Sequence, residues 1–232
     1  MMYKTCVSIA ENNPKQLEQT VKKALKKSDL VEIRFDFLEA PQIPDALQMI
    51  KKYLKKSVCT LRPQSEGGKF LGSEKERIAI LKMIAEYGPF LLDVEFNTLK
   101  KSKSLAEYLK TTKIDILVSW HDFKKTPTIE KLRKQFADMA KLSKHVKIVT
   151  TARSLEDSAR VLGLYSKKGR NSLIAFSMGD KGRLSRILCL YLGSPYTYVS
   201  LGKPVAPGQF SVDELKKLQN SNQNKYSSQE TK

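Results

Sequence analysis

The chain has 232 residues, of which 41% are hydrophobic, and its 42 Lys and Arg against 24 Asp and Glu give a formal charge of +18. This length fits one large α/β domain, and the positive charge favours non-specific attraction to nucleic acid or acidic membranes. Because the basic residues are scattered over helix-like segments without a zinc-finger, RRM or helix-turn-helix motif, we predict a solvated lysine-rich surface and no specific nucleic-acid or membrane partner.

Short apolar runs alternate along the chain with longer segments of helical period. The predicted strands cover residues 4–10, 30–38, 57–62, 90–96, 115–121, 146–152, 172–178 and 197–202. The predicted helices cover residues 14–27, 43–55, 73–87, 98–111, 127–143, 154–168, 182–192 and 211–219. Eight alternations are what a (β/α)8 TIM barrel requires, and no dinucleotide or Walker loop follows the first strand, which disfavours an open sheet. We predict one α/β barrel over residues 1–219 and a polar, disordered tail at 220–232.

The cysteines and the N-terminus indicate the compartment. Cys6, Cys59 and Cys189 lie in apolar runs without the spacing of a metal site or a disulfide framework, so we interpret them as core residues in a reducing environment. The N-terminus has no long apolar stretch, and no segment approaches the length of a transmembrane helix. These features predict a cytoplasmic protein.

Several charged or polar side chains interrupt the apolar strand-like runs, where burial is costly unless the group is paired or used. The six residues are Glu32, Arg34, Asp93, Glu95, His121 and Lys147. Side chains that point into a barrel recur at every second strand residue, and active sites lie at the C-terminal ends of the strands. The pattern therefore predicts one shared polar site inside the barrel.

One βα unit separates His121 from Lys147, so their strands are expected to be neighbours. A lysine that is desolvated stays neutral more readily and can attack a ketone, while a nearby imidazole moves protons. The pair thus suggests Schiff-base chemistry. The plainer alternatives are an exposed lysine near a strand start and a structural histidine. We interpret His145, in the polar segment KLSKHV, as a surface residue.

Three loops after predicted strands add further candidates. RPQSEGGKF carries Glu66 and two glycines just after Arg62, MGDKGRLSRI places Arg186 about two turns into a helix, and VAPGQF, with its Pro-Gly core, follows the eighth predicted strand. Glycines let a loop approach a ligand closely, although an ordinary βα turn uses them too. VAPGQF is either a loop that closes over the barrel mouth or a structural connector.

Together these segments are recognisable. The series EIRFD, TLRPQSEGGKF, DVEF, SWHDFKKTP, VKIV, MGDKGRLSRI with GSPYTY, and APGQ resembles the type I 3-dehydroquinate dehydratases, in the family's order and over residues 32–209. The resemblance implies a barrel hydro-lyase that converts 3-dehydroquinate to 3-dehydroshikimate in the shikimate pathway, without metal or cofactor. Family members are usually homodimers.

The resemblance also implies roles for individual residues. Lys147 resembles the lysine that forms an imine with the substrate ketone, His121 the general acid and base, and Glu66 the carboxylate that orients the histidine. Glu32, Arg34 and Arg62 match residues around the ring hydroxyls. Arg186 matches the arginine that pairs with the substrate carboxylate, Gln209 belongs to the closing loop, and Met178 and Tyr198 correspond to apolar walls.

One position departs from the family pattern. Many members carry serine directly before APGQ, where its hydroxyl contacts the substrate carboxylate, and this chain has Val205. Two other functions stay open at this point. A class I aldolase or transaldolase also uses a barrel lysine, but the C-terminal loops lack a clear glycine-rich phosphate cradle. A non-enzymatic RNA-binding protein would rest on the charge alone.

Overall fold

The computed structural model describes residues 3–218, and eight parallel strands with helices between them account for most of this part. The strands are β1 Thr5–Ile9, β2 Leu30–Arg34, β3 Ser57–Thr60, β4 Leu91–Glu95, β5 Ile116–Asp122, β6 His145–Thr151, β7 Ser172–Met178 and β8 Thr197–Val199. The helices are α1 Pro14–Ala24, α2 Ile43–Ile50, α3 Glu74–Glu86, α4 Phe96–Lys101, α5 Lys103–Thr111, α6 Ile129–Ala140, α7 Leu155–Leu162 and α8 Ser185–Tyr191. Residues 212–218 are also helical.

The strands form one sheet in the order β7-β6-β5-β4-β3-β2-β1-β8, with parallel pairing throughout. The first and last strands of this order, β7 and β8, lie close together. The ring centroids of Phe176 in β7 and Tyr198 in β8 are 6.4 Å apart. The sheet is therefore a nearly closed barrel. The predicted (β/α)8 architecture is confirmed.

Polar side chains cap the N-termini of α1, α3, α5 and α7. The Asn13 side chain accepts hydrogen bonds from two backbone amides of α1, and Pro14 follows it at the first helical position, where the missing N–H has no cost. Ser73 accepts from the Glu76 amide at the start of α3. Each helix carries the chain back along the barrel, so that the next strand lies parallel to the previous one.

Some predicted boundaries are wrong. The helix expected at 98–111 is two helices, because the backbone leaves helical geometry at Ser102 and its hydroxyl caps α5 through the Leu105 amide. Several strands are shorter than predicted, since 3₁₀ turns begin directly after Arg34 and after Pro63. Arg186 lies in the first turn of α8 and not two turns into a helix, because residues 180–182 form a separate 3₁₀ turn.

His145 is not the surface residue that its polar segment suggested. It is the first residue of β6, only 17% of its side chain is exposed, and its Nε2 lies 3.6 Å from Asp115 Oδ2. The strand begins earlier than the apolar run because His145 pairs with both Leu117 and Ser172. The predicted tail at 220–232 lies outside the described residues.

The barrel wall is apolar, and its interior is partly polar. All five residues of β4 are buried, including Asp93 and Glu95, and the three cysteines are buried and unpaired as free thiols. Within residues 3–218, no helix combines the length and apolar character that crossing a membrane requires. Asp93 and Glu95 are thus buried inside the barrel, and their charges require partners nearby.

We expect Gly182→Ala to destabilise the fold by about 1–3 kcal/mol, because an added Cβ would lie 2.5 Å from the Ser177 carbonyl oxygen and must displace backbone. Gly163→Ala is the matched control, since its nearest neighbour would be the Ile129 Cδ1 at an ordinary 3.6 Å. Urea unfolding of the two variants measures the difference. Equal stabilities would contradict the close packing after β7.

Candidate active site

A cavity of about 190 Å³ opens at the C-terminal ends of the strands. Every residue for which the sequence predicted a catalytic or binding role lines it, namely Glu32, Arg34, Arg62, Glu66, His121, Lys147, Arg186 and Gln209. They meet because parallel strands all end on the same side of the barrel. Met178, Tyr198, Phe123 and Phe176 supply apolar and aromatic surface.

Lys147 lies on β6 at the floor of this cavity and is only 5% exposed. Its Nζ is 3.1 Å from Asp93 Oδ2 and 3.5 Å from Glu32 Oε1. The same atom lies 4.3 Å from the centroid of the Tyr198 ring, within cation–π range. The buried Lys147 nitrogen is thus held by two carboxylates and one aromatic face.

Asp93 belongs to the predicted polar site, but nothing in the sequence indicates its contact with Lys147. It is fully buried, accepts a hydrogen bond from the Ser119 hydroxyl, and shares its Oδ2 between Lys147 and Arg62. Burial opposes its charge, but the Arg62 and Lys147 cations outweigh this and lower the pKa of the Asp93 carboxyl. Asp93 therefore stays an anion beside the Lys147 amine.

Two of the predicted binding arginines have protein partners. Arg62 donates to Asp93 at 2.8 Å and to Glu95 at 2.7 Å, and Arg34 forms a two-point ion pair with Asp36. These bonds orient both guanidinium groups at the cavity wall. Contact of either arginine with substrate stays a prediction.

His121 and Glu66 form a hydrogen-bonded pair, with Nδ1 3.2 Å from Oε2 and each side chain only 8% exposed. Burial, together with the Arg62 and Lys147 cations, lowers the pKa of His121 well below its usual value. The imidazole is therefore neutral near pH 7. When Nδ1–H donates to Glu66, Nε2 keeps its lone pair and can accept a proton.

The Glu66 carboxyl is destabilised as an anion. Burial raises its pKa to about 7, with smaller contributions from Glu95 and Asp93, and Arg62 acts in the opposite direction. The Asn97 amide donates to its other oxygen at 3.4 Å. A carboxyl with this pKa can accept a hydrogen bond from the imidazole and can also share its proton.

Arg186 differs from the other cations of the cavity. It is 2% exposed, its Nη2 donates to the Pro207 carbonyl at 3.0 Å, and within residues 3–218 it has no carboxylate partner and its Nε no hydrogen bond. Burial lowers the pKa of its guanidinium to about 10, which leaves it charged at neutral pH. A buried cation without an anion is a receptor for an anionic group of a ligand.

The segment after β8 is tied to the cavity through Gln209. Its Oε1 accepts from the Val205 amide at 2.9 Å, and its Nε2 donates to the Ser8 hydroxyl at 3.3 Å. Ser8 in turn donates to Glu32 at 2.8 Å. Sequence reasoning missed Ser8, although it occupies an inward position of β1. These bonds hold Val205, Ala206 and Pro207 along one wall of the cavity.

The chain is similar to known proteins over most of its length. The family model described as Type I 3-dehydroquinase matches residues 5–226. A 3-dehydroquinate dehydratase from Methanococcus maripaludis is 36% identical over 217 residues, which are 92% of this chain and 97% of that protein. The crystal structure of 3-dehydroquinate dehydratase from Geobacillus kaustophilus has a TM-score of 0.87 at 20% identity, covering 97% and 92% of the two chains. A type I 3-dehydroquinate dehydratase from Clostridium difficile, solved with covalently modified comenic acid, has a TM-score of 0.83 at 25% identity, covering 94% and 91%.

The raised pKa of Glu66 predicts a pH-dependent effect of Glu66→Gln on stability. The folded protein holds the Glu66 proton up to about pH 7, whereas the unfolded chain releases it near pH 4.5, so this group lowers stability as pH rises through that window. Relative to wild type, the variant should gain up to about 3 kcal/mol between pH 5 and pH 8. Urea unfolding at both pH values measures this gain.

Glu107→Gln is the matched control, because its carboxylate is 70% exposed. That variant should keep the same stability offset from wild type at both pH values. A constant offset for Glu66→Gln as well would contradict the assignment of a buried, easily protonated carboxyl beside His121.

Proposed function

The chain belongs to the type I 3-dehydroquinase family, and we propose that Lys147, His121 and Arg186 carry out its reaction through an imine intermediate. As a member of this family it is a hydro-lyase that dehydrates 3-dehydroquinate in the shikimate pathway. The observation that carries the proposal is the placement of a buried amine, a neutral imidazole and a cation without an anion around one cavity.

Lys147 begins the reaction. In its neutral form Nζ attacks the ketone carbon, and the carbinolamine takes up one proton from solvent and loses the former ketone oxygen as water to give a cationic imine. Asp93 and Glu32 hold the nitrogen by hydrogen bonds of 3.1 and 3.5 Å, and the Tyr198 ring faces it. The same anions and the same ring stabilise the positive charge of the imine once it has formed.

His121 then moves the protons. The imine draws electrons from the neighbouring carbon, so the neutral Nε2 of His121 can remove a proton there. The electron pair forms the new double bond and expels the adjacent hydroxyl, which leaves as water with the proton returned by His121. Glu66 stabilises the transient imidazolium through its 3.2 Å contact with Nδ1. Hydrolysis of the imine releases the product and restores Lys147.

Arg186 binds the substrate carboxylate in this proposal. The other buried cations around Lys147 have carboxylate partners, whereas Arg186 has none within residues 3–218. A carboxylate placed there would satisfy the free Nε and neutralise the charge. Substrate binding therefore completes the ion pairing of the cavity, and the ketone of the same ring is directed to Lys147.

The Clostridium difficile relative was solved with covalently modified comenic acid, and a covalent step in the proposed reaction agrees with this. The alternative, an aldolase or transaldolase that also uses a lysine imine, is separated by assaying 3-dehydroquinate against sugar phosphates.

We further propose that residues 1–219 form the catalytic barrel and that the enzyme is a cytoplasmic homodimer. Size-exclusion chromatography with light scattering tests the dimer.

Borohydride reduction in the presence of 3-dehydroquinate or product should inactivate the enzyme and label Lys147. The reduction converts the cationic imine to a stable secondary amine, which peptide mass analysis locates. Lys147→Met should abolish both labelling and turnover. Labelling of a different lysine, or full activity without any label, would overturn the assignment.

His121→Ala is the matched variant for the proton-transfer step. It should still form the reducible imine on Lys147 but should lose about 10²–10⁴ in kcat, the usual contribution of a positioned general base. Loss of imine labelling in this variant, or a near-normal kcat, would show that His121 does not have the proposed role.

Replacing Val205 with a residue that carries a hydroxyl should raise the affinity for substrate, because the hydroxyl would add one hydrogen bond to the substrate carboxylate near Arg186. We expect Val205→Ser and the isosteric Val205→Thr to lower KM by about 2- to 10-fold with little change in kcat, the pattern of added uniform binding. Val205→Ala, which removes volume without adding a hydroxyl, is the control and should not lower KM.

Gln209→Ala tests the same segment independently. It removes the link between Val205 and Ser8 and should raise KM, since the segment is no longer held against the cavity. If neither the hydroxyl variants nor Gln209→Ala changes KM, the segment after β8 is only a connector.

A further inference from the structure

Six buried charges form one continuous chain of ion pairs that alternates in sign. In spatial order they are Arg77, Glu95, Arg62, Asp93, Lys147 and Glu32, and none is more than 5% exposed. Successive members are joined by contacts of 2.7, 2.7, 2.8, 3.1 and 3.5 Å. The three positive charges in this series equal the three negative charges in number. The ion-pair chain therefore reaches from the reactive amine to helix α3 without net charge.

Arg77 is the end of this ion-pair chain farthest from the cavity, and it does not line the cavity. Its five N–H groups are all used. Two donate to Glu74 and one to Thr98, while Nη1 donates to Glu95 at 2.7 Å and to the Leu61 carbonyl at 3.1 Å. Leu61 directly precedes Arg62, so Arg77 holds both the backbone beside Arg62 and the carboxylate that Arg62 binds.

We infer that Arg77 is a positioning residue for the imine chemistry of Lys147, an inference that rests on the proposed function. Arg77 pairs with one oxygen of Glu95, and Arg62 pairs with the other. Arg62 therefore does not have to neutralise Glu95 alone, and its second amino group holds Asp93 beside the Lys147 amine. Without Arg77, the ion-pair chain carries one excess negative charge. That excess favours the protonated amine, which cannot attack a ketone, and it loosens the backbone beside Arg62.

Titratable and charged groups face Lys147 from most of the strands around it. They are Cys6 of β1, Glu32 of β2, Arg62 after β3, Asp93 of β4, His121 of β5 and Tyr198 of β8. Substitution at Arg77, which lies on α3, changes none of these groups chemically. A shift in the pH dependence of Lys147 labelling would therefore come through the ion-pair chain.

The test measures borohydride labelling of Lys147 with excess product as a function of pH, in full-length protein. For Arg77→Met, the midpoint of labelling should rise by about 0.5 to 1 pH unit, since one uncompensated negative charge near the amine is worth roughly that much. Its kcat should fall about 10- to 100-fold through misplacement of the amine. Arg77→Lys keeps the charge and should keep the wild-type midpoint.

Two further variants separate charge from structure. Arg77→Met combined with Glu95→Gln is neutral again and should return the midpoint to the wild-type value. Glu74→Gln is the control, because Glu74 is 55% exposed and contacts the outer side of Arg77, and it should leave the midpoint unchanged. If Arg77→Met alone does not fold, the double variant is compared with Glu95→Gln, and loss of Arg77 must again raise the midpoint.

A merely structural Arg77 would lower stability and kcat without moving the midpoint, and that result would overturn the inference. So would a midpoint that stays shifted in the neutral double variant. Absence of label on Lys147 in the wild-type enzyme is a different failure, because it would contradict the proposed imine itself. Labelling of wild type is therefore established first.

Discussion

The structure depends on the neutralisation of a lysine that lies inside a β-barrel. An ammonium buried to this degree is strongly unfavourable without compensation, and a single carboxylate partner would bring its own desolvation cost. In this barrel, alternating charges from several elements compensate the lysine. Asp93 pairs with both Lys147 and Arg62, and Glu95 pairs with both Arg62 and Arg77. The inward polar residues of β2, β4 and β6 and the start of α3 are constrained together by this requirement.

The same balance accounts for the character of the cavity. Burial, aided by the Arg62 and Lys147 cations, lowers the pKa of His121 and keeps its imidazole neutral, and burial near Glu95 and Asp93 raises the pKa of Glu66. The charges of the ion-pair chain cancel one another, so it has no net charge to offer a ligand. Arg186 stands outside the ion-pair chain and has no carboxylate partner within residues 3–218, so its guanidinium is available to an anionic group. The proposed catalytic and binding groups are thus separate parts of one cavity of about 190 Å³.

Much of this arrangement could be predicted from the sequence. The positions of Glu32 and Lys147 inside apolar runs assigned both to a shared polar site, because a charge in such a run is costly to bury unless it is paired or used. The residues in loops required the family resemblance, since Glu66 and Gln209 are polar residues in polar segments. Arg77 could not be found, because EKERIAIL has the pattern of an ordinary exposed helix start and only the packing of α3 buries its guanidinium. The prediction for His145 was wrong for the opposite reason, since a strand began inside a polar segment.

A double-mutant cycle on Asp93 and Lys147 tests the central claim most directly. The free energy of unfolding is measured in urea for wild type, Asp93→Asn, Lys147→Met and the double variant. Each single substitution leaves an unbalanced buried charge and should cost about 3 to 5 kcal/mol, whereas the double variant should cost less than the sum by roughly 1 kcal/mol or more. Strict additivity would contradict the account, because it would mean that the two buried charges do not stabilise each other.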